Sequence, residues 1–266
     1  MARILQTRFY FICTMMRIYL LLLLLLFLPT GCVYRSLVDL DNLNFSNPLE
    51  SKAVQHESLE RVDLSKARGR YFMPTKSRPV LPPPDLKVTW EVKQELRYFE
   101  QRDPQYVPGA LKRRAEYYPM MVEVFRDEGV PIELINLAMI ESGFRPKAKS
   151  RAGAVGMWQF MKSTGRVYGL KIGFFEDQRK DPVLSTLAAA RHLRDLYFVY
   201  KDWHLVLAAY NAGTTRLDRS LNHARTKDFW ELSRKGQLPR QTRRFVPRFI
   251  AATLLVKREE AQRKRY

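Results

Sequence analysis

The stretch DPVLSTLAAARHLRDLYFVY at 181–200, followed closely by WHLVLAAYNAG at 203–213, decides the fold class. Apolar residues recur along the first stretch at intervals of three and four, which is the spacing of one helix face: Leu184, Leu187, Ala188 and Leu196. Asp181 before Pro182 is typical of a helix start, and Gly213 is typical of a helix end. The two stretches therefore predict two consecutive helices.

Helical patterns continue on both sides of these stretches. WEVKQELRYFEQ at 90–101 and the residues 110–127 show the same spacing, and Pro131 occupies a first-turn position in PIELINLAMIES. A last long helix is predicted over 242–263. No stretch alternates in the manner of a strand. The sequence predicts one all-α domain over 85–266, a length within the usual domain range.

Composition and charge narrow the function classes. The 266 residues include 46 Lys and Arg against 27 Asp and Glu, a formal charge of +19, with 46% hydrophobic residues. Such a chain folds around a core and attracts anionic partners. The two cysteines exclude a disulfide framework. Neither a metal site nor a cofactor is predicted, because the histidines are scattered: His56, His192, His204 and His223.

The amino-terminal residues are typical of an export signal. Residues 1–31 combine a basic start with the apolar run IYLLLLLLLFLP, which is too short to span a membrane. LPTGC at 28–32 resembles a bacterial lipobox, which implies that Cys32 is lipidated and anchors the protein to a membrane. A plain signal anchor with an incidental cysteine is the alternative. Translation is predicted to start at either Met1, Met15 or Met16.

A proline-rich segment precedes the helical domain. Residues 32–84 end in PTKSRPVLPPP, whose prolines favour extended, stiff geometry. Two interpretations are open at this stage: a tether between lipid and domain, or an extended strip that lies on the domain.

Three short strings carry the candidate chemistry. AMIESGF at 138–144 places Glu141 after an apolar run, where it is either part of a capped helix end or a catalytic acid with a raised pKa. SRAGAVGMWQFM at 150–161 contains two glycines that permit close backbone approach. AAYNAG at 208–213 presents Tyr210 and Asn211.

In this order, the strings resemble the lytic transglycosylases of the soluble-lytic, goose-lysozyme-like class, and within it the membrane-bound D type. The matching motifs extend over about 90–256: Glu141-Ser142, Ser150, Gly156-Met157-Trp158-Gln159, KSTGRVYGL at 162–170, DQRKDP at 177–182, Ala209 to Gly213, and LPRQTRRFVPRF at 238–249. The resemblance implies a lysozyme-like helical fold. It also implies cleavage between N-acetylmuramic acid and N-acetylglucosamine without water, with 1,6-anhydromuramyl ends as product and Glu141 as acid and then base.

The resemblance also implies a substrate-binding set. It consists of Ser150 near the muramyl sugar, Gln159 as a hydrogen-bonding group, Met161 in the groove, Tyr210 near the reacting sugar, and Asn211 on acetamido or peptide groups. Met161 and Trp158 could instead be core residues, Asn211 a helix-end cap, and Ser142 a local backbone hydrogen-bonder.

Two departures from the family pattern leave other functions open. Gln241 stands where the family has Glu, and Phe245 where it has Tyr. A peptidoglycan-binding lipoprotein with impaired catalysis is therefore one alternative. A hydrolase that uses Glu176 or Asp177 as second carboxylate is another.

The predicted partners are peptidoglycan strands and, through the lipid, the outer membrane on its periplasmic side. Basic residues are dense in the last 33 positions, which suits either anionic wall and headgroup chemistry or a solvated face. Nucleic acid is not expected as a partner of an exported chain.

Overall fold

Residues 78–263 are described by a computed structural model, and their regular structure is helical. The α-helices are α1 (Trp90–Gln101), α2 (Tyr106–Asp127), α3 (Leu137–Ser142), α4 (Lys162–Val167), α5 (Pro182–Tyr200), α6 (Trp203–Ala212), α7 (Thr214–Ala224), α8 (Phe229–Arg234) and α9 (Arg240–Arg263). Short 3-10 helices lie at Ile132–Asn136 and Gln178–Lys180. Extended pairing within 78–263 is limited to isolated bridges: Lys149 with Val155, Val155 with Phe160, and Ile172 with Asp177. The all-α prediction is confirmed.

Helix boundaries follow local capping chemistry. The Asp181 carboxylate accepts hydrogen bonds from the backbone N–H groups of Val183 and Leu184, which satisfies donors that the first turn of α5 leaves free. At the end of α6, the N–H of Gly213 donates to Ala209 O. The last helix begins two residues before the predicted Thr242.

The prediction of one regular helix over 131–142 is wrong in detail. Pro131 has an extended ψ of 134° and precedes the helical turns instead of occupying the first one. The N–H of Leu134 donates to Pro131 O, a spacing of three residues, so the chain first winds as a 3-10 helix and becomes α-helical only in α3.

The α6 helix is the centre of the domain. All its residues from Trp203 to Ala209 are buried, and it packs against α5 and α9. Outside this pair, α9 lies along α1, and α2 packs on α5. Because α6 is enclosed, only its carboxyl-terminal end, with Tyr210 and Asn211, reaches a partly open position.

The proline-rich residues nearest the domain lie against it. The N–H of Leu81 donates to Gly129 O at 2.8 Å, Trp203 Nε1 donates to Pro82 O at 2.6 Å, and His204 Nε2 lies 2.9 Å from Asp85 O. For residues 78–84 this is the arrangement expected of a strip on the domain.

Several expectations fall outside the described residues. These are the signal peptide at 1–31, lipidation of Cys32, the start at Met15 or Met16, and the tether up to residue 77. Between residues 78 and 263, no helix combines the length and apolar character needed to cross a bilayer.

Candidate active site

Glu141 lies in the last turn of α3 and is half-buried. The three residues that open this helix, Leu137, Ala138 and Met139, are fully buried, so the helix end is set into the core. Desolvation raises the pKa of the Glu141 carboxyl from 4.5 to about 8. Within residues 78–263 its carboxyl forms no hydrogen bond or ion pair. A carboxyl in these surroundings is mostly protonated at neutral pH.

The turn after Glu141 is held from two sides. Gly143 ends α3 with a φ of +61°, and its carbonyl accepts a 2.6 Å hydrogen bond from Arg113 Nε. Ser142 Oγ donates to Met157 O at 2.8 Å and accepts from the N–H of Arg145. Ser142 is therefore a backbone hydrogen-bonder, and it joins the end of α3 to the glycine-containing loop.

The loop 148–160 is shaped by two of the predicted binding residues. Ser150 Oγ accepts a 3.0 Å hydrogen bond from the N–H of Ala154. Gln159 has a φ of +50°, and its Nε2 donates to Gly156 O at 2.8 Å. Both side chains are half-buried, so each supports the loop while part of it stays open to solvent.

A buried arginine fastens this loop to the following turn. Arg179 Nη1 donates to Gly153 O and Phe160 O, both at 3.1 Å. Its Nε and Nη2 atoms donate to the Asp177 carboxylate, with Nη2 at 2.8 Å from Oδ2. This hydrogen bonding lowers the pKa of Asp177. Glu176, the other carboxylate considered for a hydrolase, is exposed and accepts from Gln178 Nε2. Among the described residues, neither acid contributes to the raised pKa of Glu141, which has desolvation as its cause.

The string AAYNAG at 208–213 contacts the string SRAGAVGMWQFM at 150–161 through Tyr210. Tyr210 OH donates to Trp158 O at 2.7 Å, one residue beyond the carbonyl that Ser142 uses. Trp158 is a core residue, fully buried, stacked on Phe125 at 5.6 Å and bonded through Nε1 to Thr186. The structure thus brings all three sequence strings together at the backbone of residues 157–158.

Tyr210 also lines a cleft of about 440 Å³, here called the central cleft. Burial, and after it the negative charge of the Glu141 carboxylate, raises the pKa of Tyr210. Tyr168 and His192 line the cleft too, with the His192 ring centroid 4.8 Å from that of Tyr168 and 5.2 Å from that of Tyr210. Desolvation lowers the pKa of His192 to about 3, so this ring is neutral.

Sequence reasoning did not select Tyr168 and His192 as site residues. Tyr168 lies in the matched string KSTGRVYGL, so a signal for it was available. For His192 the sequence contained no signal beyond its position on α5, because its neighbours in the cleft come from α4, α6 and the loop.

The remaining predicted residues take different positions. Asn211 Oδ1 accepts a 2.9 Å hydrogen bond from Thr242 Oγ1, so Asn211 ties α6 to α9 and does not cap its helix. Met161 is 45% exposed at the start of α4, which excludes a core position. Of the two departures beside Thr242, Gln241 is exposed and Phe245 is buried.

The chain is similar in sequence to known proteins. Residues 125–233, which include Glu141 and Tyr210, match the family model of the transglycosylase SLT domain. The chain is 37% identical over 169 residues to the membrane-bound lytic murein transglycosylase D of Escherichia coli, covering 62% of this chain and 36% of that protein. It is 38% identical over 113 residues to the peptidoglycan transglycosylase gp16 of Escherichia phage T7, covering 41% of this chain and 9% of that protein.

Among solved structures, an inactive mutant of the lytic transglycosylase Slt of Pseudomonas aeruginosa matches with a TM-score of 0.46 at 18% identity, over 74% of this chain and 41% of that chain. The chain spans about a third of the length of the Escherichia coli relative, 36%. The predicted resemblance to lytic transglycosylases of the soluble-lytic class is confirmed by the family match over residues 125–233 and the 37% identity.

Proposed function

We propose that this chain, which carries a transglycosylase SLT domain of the soluble-lytic class, cleaves the bond between N-acetylmuramic acid and N-acetylglucosamine in peptidoglycan without using water. The observation that carries the proposal is the half-buried Glu141, whose pKa of about 8 keeps a proton on the carboxyl at neutral pH.

One carboxyl suffices for this reaction. Glu141 donates its proton to the glycosidic oxygen as the bond from that oxygen to C1 of the muramyl sugar breaks. The substrate's own 2-acetamido group supports the positive charge at C1. The muramyl 6-hydroxyl oxygen then bonds to C1 and gives its proton to the Glu141 carboxylate, which leaves a 1,6-anhydromuramyl end and restores the acid.

The substrate would be held by the residues around this carboxyl. We assign Ser150, Gln159 and Met161 on the loop side, and Tyr210 and Asn211 at the end of α6, to a lysozyme-like binding groove. Two observations support this assignment. Strings far apart in sequence meet at residues 157–158, and the Glu141 charge contributes to the raised pKa of Tyr210.

The location follows from the amino-terminal residues. We propose that Cys32 is lipidated and that the protein is anchored to the outer membrane on the periplasmic side. The lipobox-like LPTGC supports this, and the Escherichia coli relative is called membrane-bound.

The proposal is tested by digesting isolated peptidoglycan with the full-length protein and analysing the released fragments by mass spectrometry. We expect anhydromuramyl ends from the wild type and from Glu176→Gln, and a loss of at least about a hundredfold in Glu141→Gln. Hydrated, reducing ends would overturn the proposal in favour of a hydrolase.

A second candidate function is binding of peptidoglycan without turnover. Phe245 and Gln241 favour it, because they flank the Thr242 that contacts Asn211 and lack the hydroxyl and charge of the family pattern. Sedimentation with peptidoglycan, with no fragments from the wild type, would establish this alternative.

A further inference from the structure

A second cleft, of about 510 Å³, lies between α1, α8 and α9 and is rich in arginine. Its lining includes Arg234, Arg240, Arg243 and Arg244, and Trp90 forms part of its edge. We call it the basic cleft. It shares no lining residue with the central cleft.

The acids of the basic cleft do not neutralise it. Glu95 is buried and already holds Arg244 at 2.8 Å and Arg248 at 3.4 Å. Glu91 is the other carboxylate in the lining. Among the described residues, Arg234, Arg240 and Arg243 form no ion pair, so three guanidinium groups face this space with a single unpaired acid.

Arg243 carries a donor that no group of the described residues satisfies. Its Nε atom is buried and has no hydrogen-bond partner. A buried donor without an acceptor is costly, and the cost is larger for a charged group. Because Nε itself is closed to solvent, an acceptor from outside the chain would bind Arg243 through its Nη groups.

The edge of the cleft offers a second kind of contact. Trp90 is 70% exposed, although it is the largest kind of apolar side chain. Trp90 lines the same cleft as the arginines, and its indole can pack against a flat or apolar portion of a ligand.

We propose that the basic cleft binds an anionic ligand, with carboxylate or phosphate oxygens accepting hydrogen bonds from Arg240 and Arg243 and an adjoining apolar part packing on Trp90. Guanidinium groups match both oxyanions through paired hydrogen bonds. Three unpaired arginines suit a ligand with more than one negative charge.

The site is separate from the proposed catalysis. On α9, Thr242 contacts Asn211, whereas residues 240, 243, 244 and 247 line the basic cleft. The same helix therefore contributes to both places with different faces, and anion binding does not require turnover at Glu141.

The fluorescence of Trp90 can report binding to the basic cleft. The full-length protein is titrated with pyrophosphate, as the phosphate probe, and with citrate, as the carboxylate probe, at constant ionic strength while tryptophan emission is recorded. We expect a saturable change with at least one probe, absent in Trp90→Phe. In the double variant Arg240→Gln with Arg243→Gln, the dissociation constant should rise by at least about tenfold.

Arg102→Gln is the matched control, since it removes an exposed charge at the end of α1 outside the cleft and should leave binding unchanged. The anion should also raise the thermal midpoint of the wild type more than that of the double variant, which checks binding independently of fluorescence. A response to pyrophosphate alone identifies a phosphate-bearing ligand, and a response to citrate alone a carboxylate-bearing one. Equal affinity in the folded double variant, or no saturable response to either probe, would overturn the proposal.

Discussion

Glu141 and Glu95 are carboxylates in the same helical domain with different surroundings. Glu95 is buried with two arginines, and its oxygens are both engaged. Glu141 is half-buried without a cationic partner among the described residues, and desolvation alone accounts for the raised pKa. A partnered acid stabilises structure, whereas an unpartnered one near neutrality can exchange protons.

The raised pKa of Glu141 predicts that the activity depends on pH. Because Glu141 must enter the reaction protonated, kcat/KM should be highest below pH 8 and fall as the pH rises through the pKa of about 8, by about tenfold per unit well above it. The measurement is fragment release from isolated peptidoglycan at fixed ionic strength between pH 6 and pH 10.

Glu176→Gln serves as the control for this profile, because its exposed carboxylate lies outside the proposed chemistry. A rate that stays constant up to pH 10 would mean that Glu141 is not the acid.

At the scale of elements, the site depends on the end of α3, the loop 148–160 and the end of α6. Ser142 and Tyr210 each donate a hydroxyl hydrogen bond to one of two consecutive loop carbonyls. Arg179 holds the same loop from the other side. The loop therefore positions Glu141 and Tyr210 relative to each other, although it contains neither.

Two glycines of this loop allow a matched test. Gly156 and Gly153 have φ values of +89° and +88°, so alanine suffers the same backbone strain at each. A Cβ at Gly156 would lie 1.8 Å from Arg179 O, whereas a Cβ at Gly153 meets nothing within 4 Å. We expect Gly156→Ala to cost about 3–5 kcal/mol of unfolding free energy and Gly153→Ala about 1–2 kcal/mol.

Denaturant unfolding of the two variants measures the difference. Equal losses of unfolding free energy in the two variants would show that the backbone at Arg179 shifts to accommodate the added Cβ. Arg179 would then not hold the loop at this point.

At the scale of the whole molecule, α9 connects the parts of the domain. It packs along α1 and α6, carries Thr242 to the catalytic side, and contributes arginines to the basic cleft. Glu95 of α1 anchors α9 through Arg244 and Arg248. The geometry of the proposed active site and of the basic cleft therefore depends on how α9 packs against its neighbours.

This dependence predicts unequal effects for two acids of α1. Glu95→Gln leaves two arginines without their carboxylate and should lower the unfolding free energy by about 3 kcal/mol. Glu100→Gln removes an exposed pair with Arg258 and should cost about 0–1 kcal/mol. Chemical denaturation compares the two, and similar small losses in both would contradict an anchoring role for Glu95.

The helices could be predicted from the sequence, because helix formation depends on residues three and four apart and on capping groups next to the ends. α1 and α5 begin and end as the pattern predicts, and the failure at Pro131 is local as well, since the choice between 3-10 and α winding is decided by small differences in one turn. The strings that identify the class were equally readable, since each is contiguous.

The surroundings of these residues could not be predicted from the sequence. The pKa of Glu141, the meeting of Ser142 and Tyr210 at residues 157–158, the place of His192 and the unpaired Nε of Arg243 all arise from groups distant along the chain. Desolvation and ion pairing depend on which atoms become neighbours after packing. The periodicity of a sequence does not predict which distant residues become neighbours.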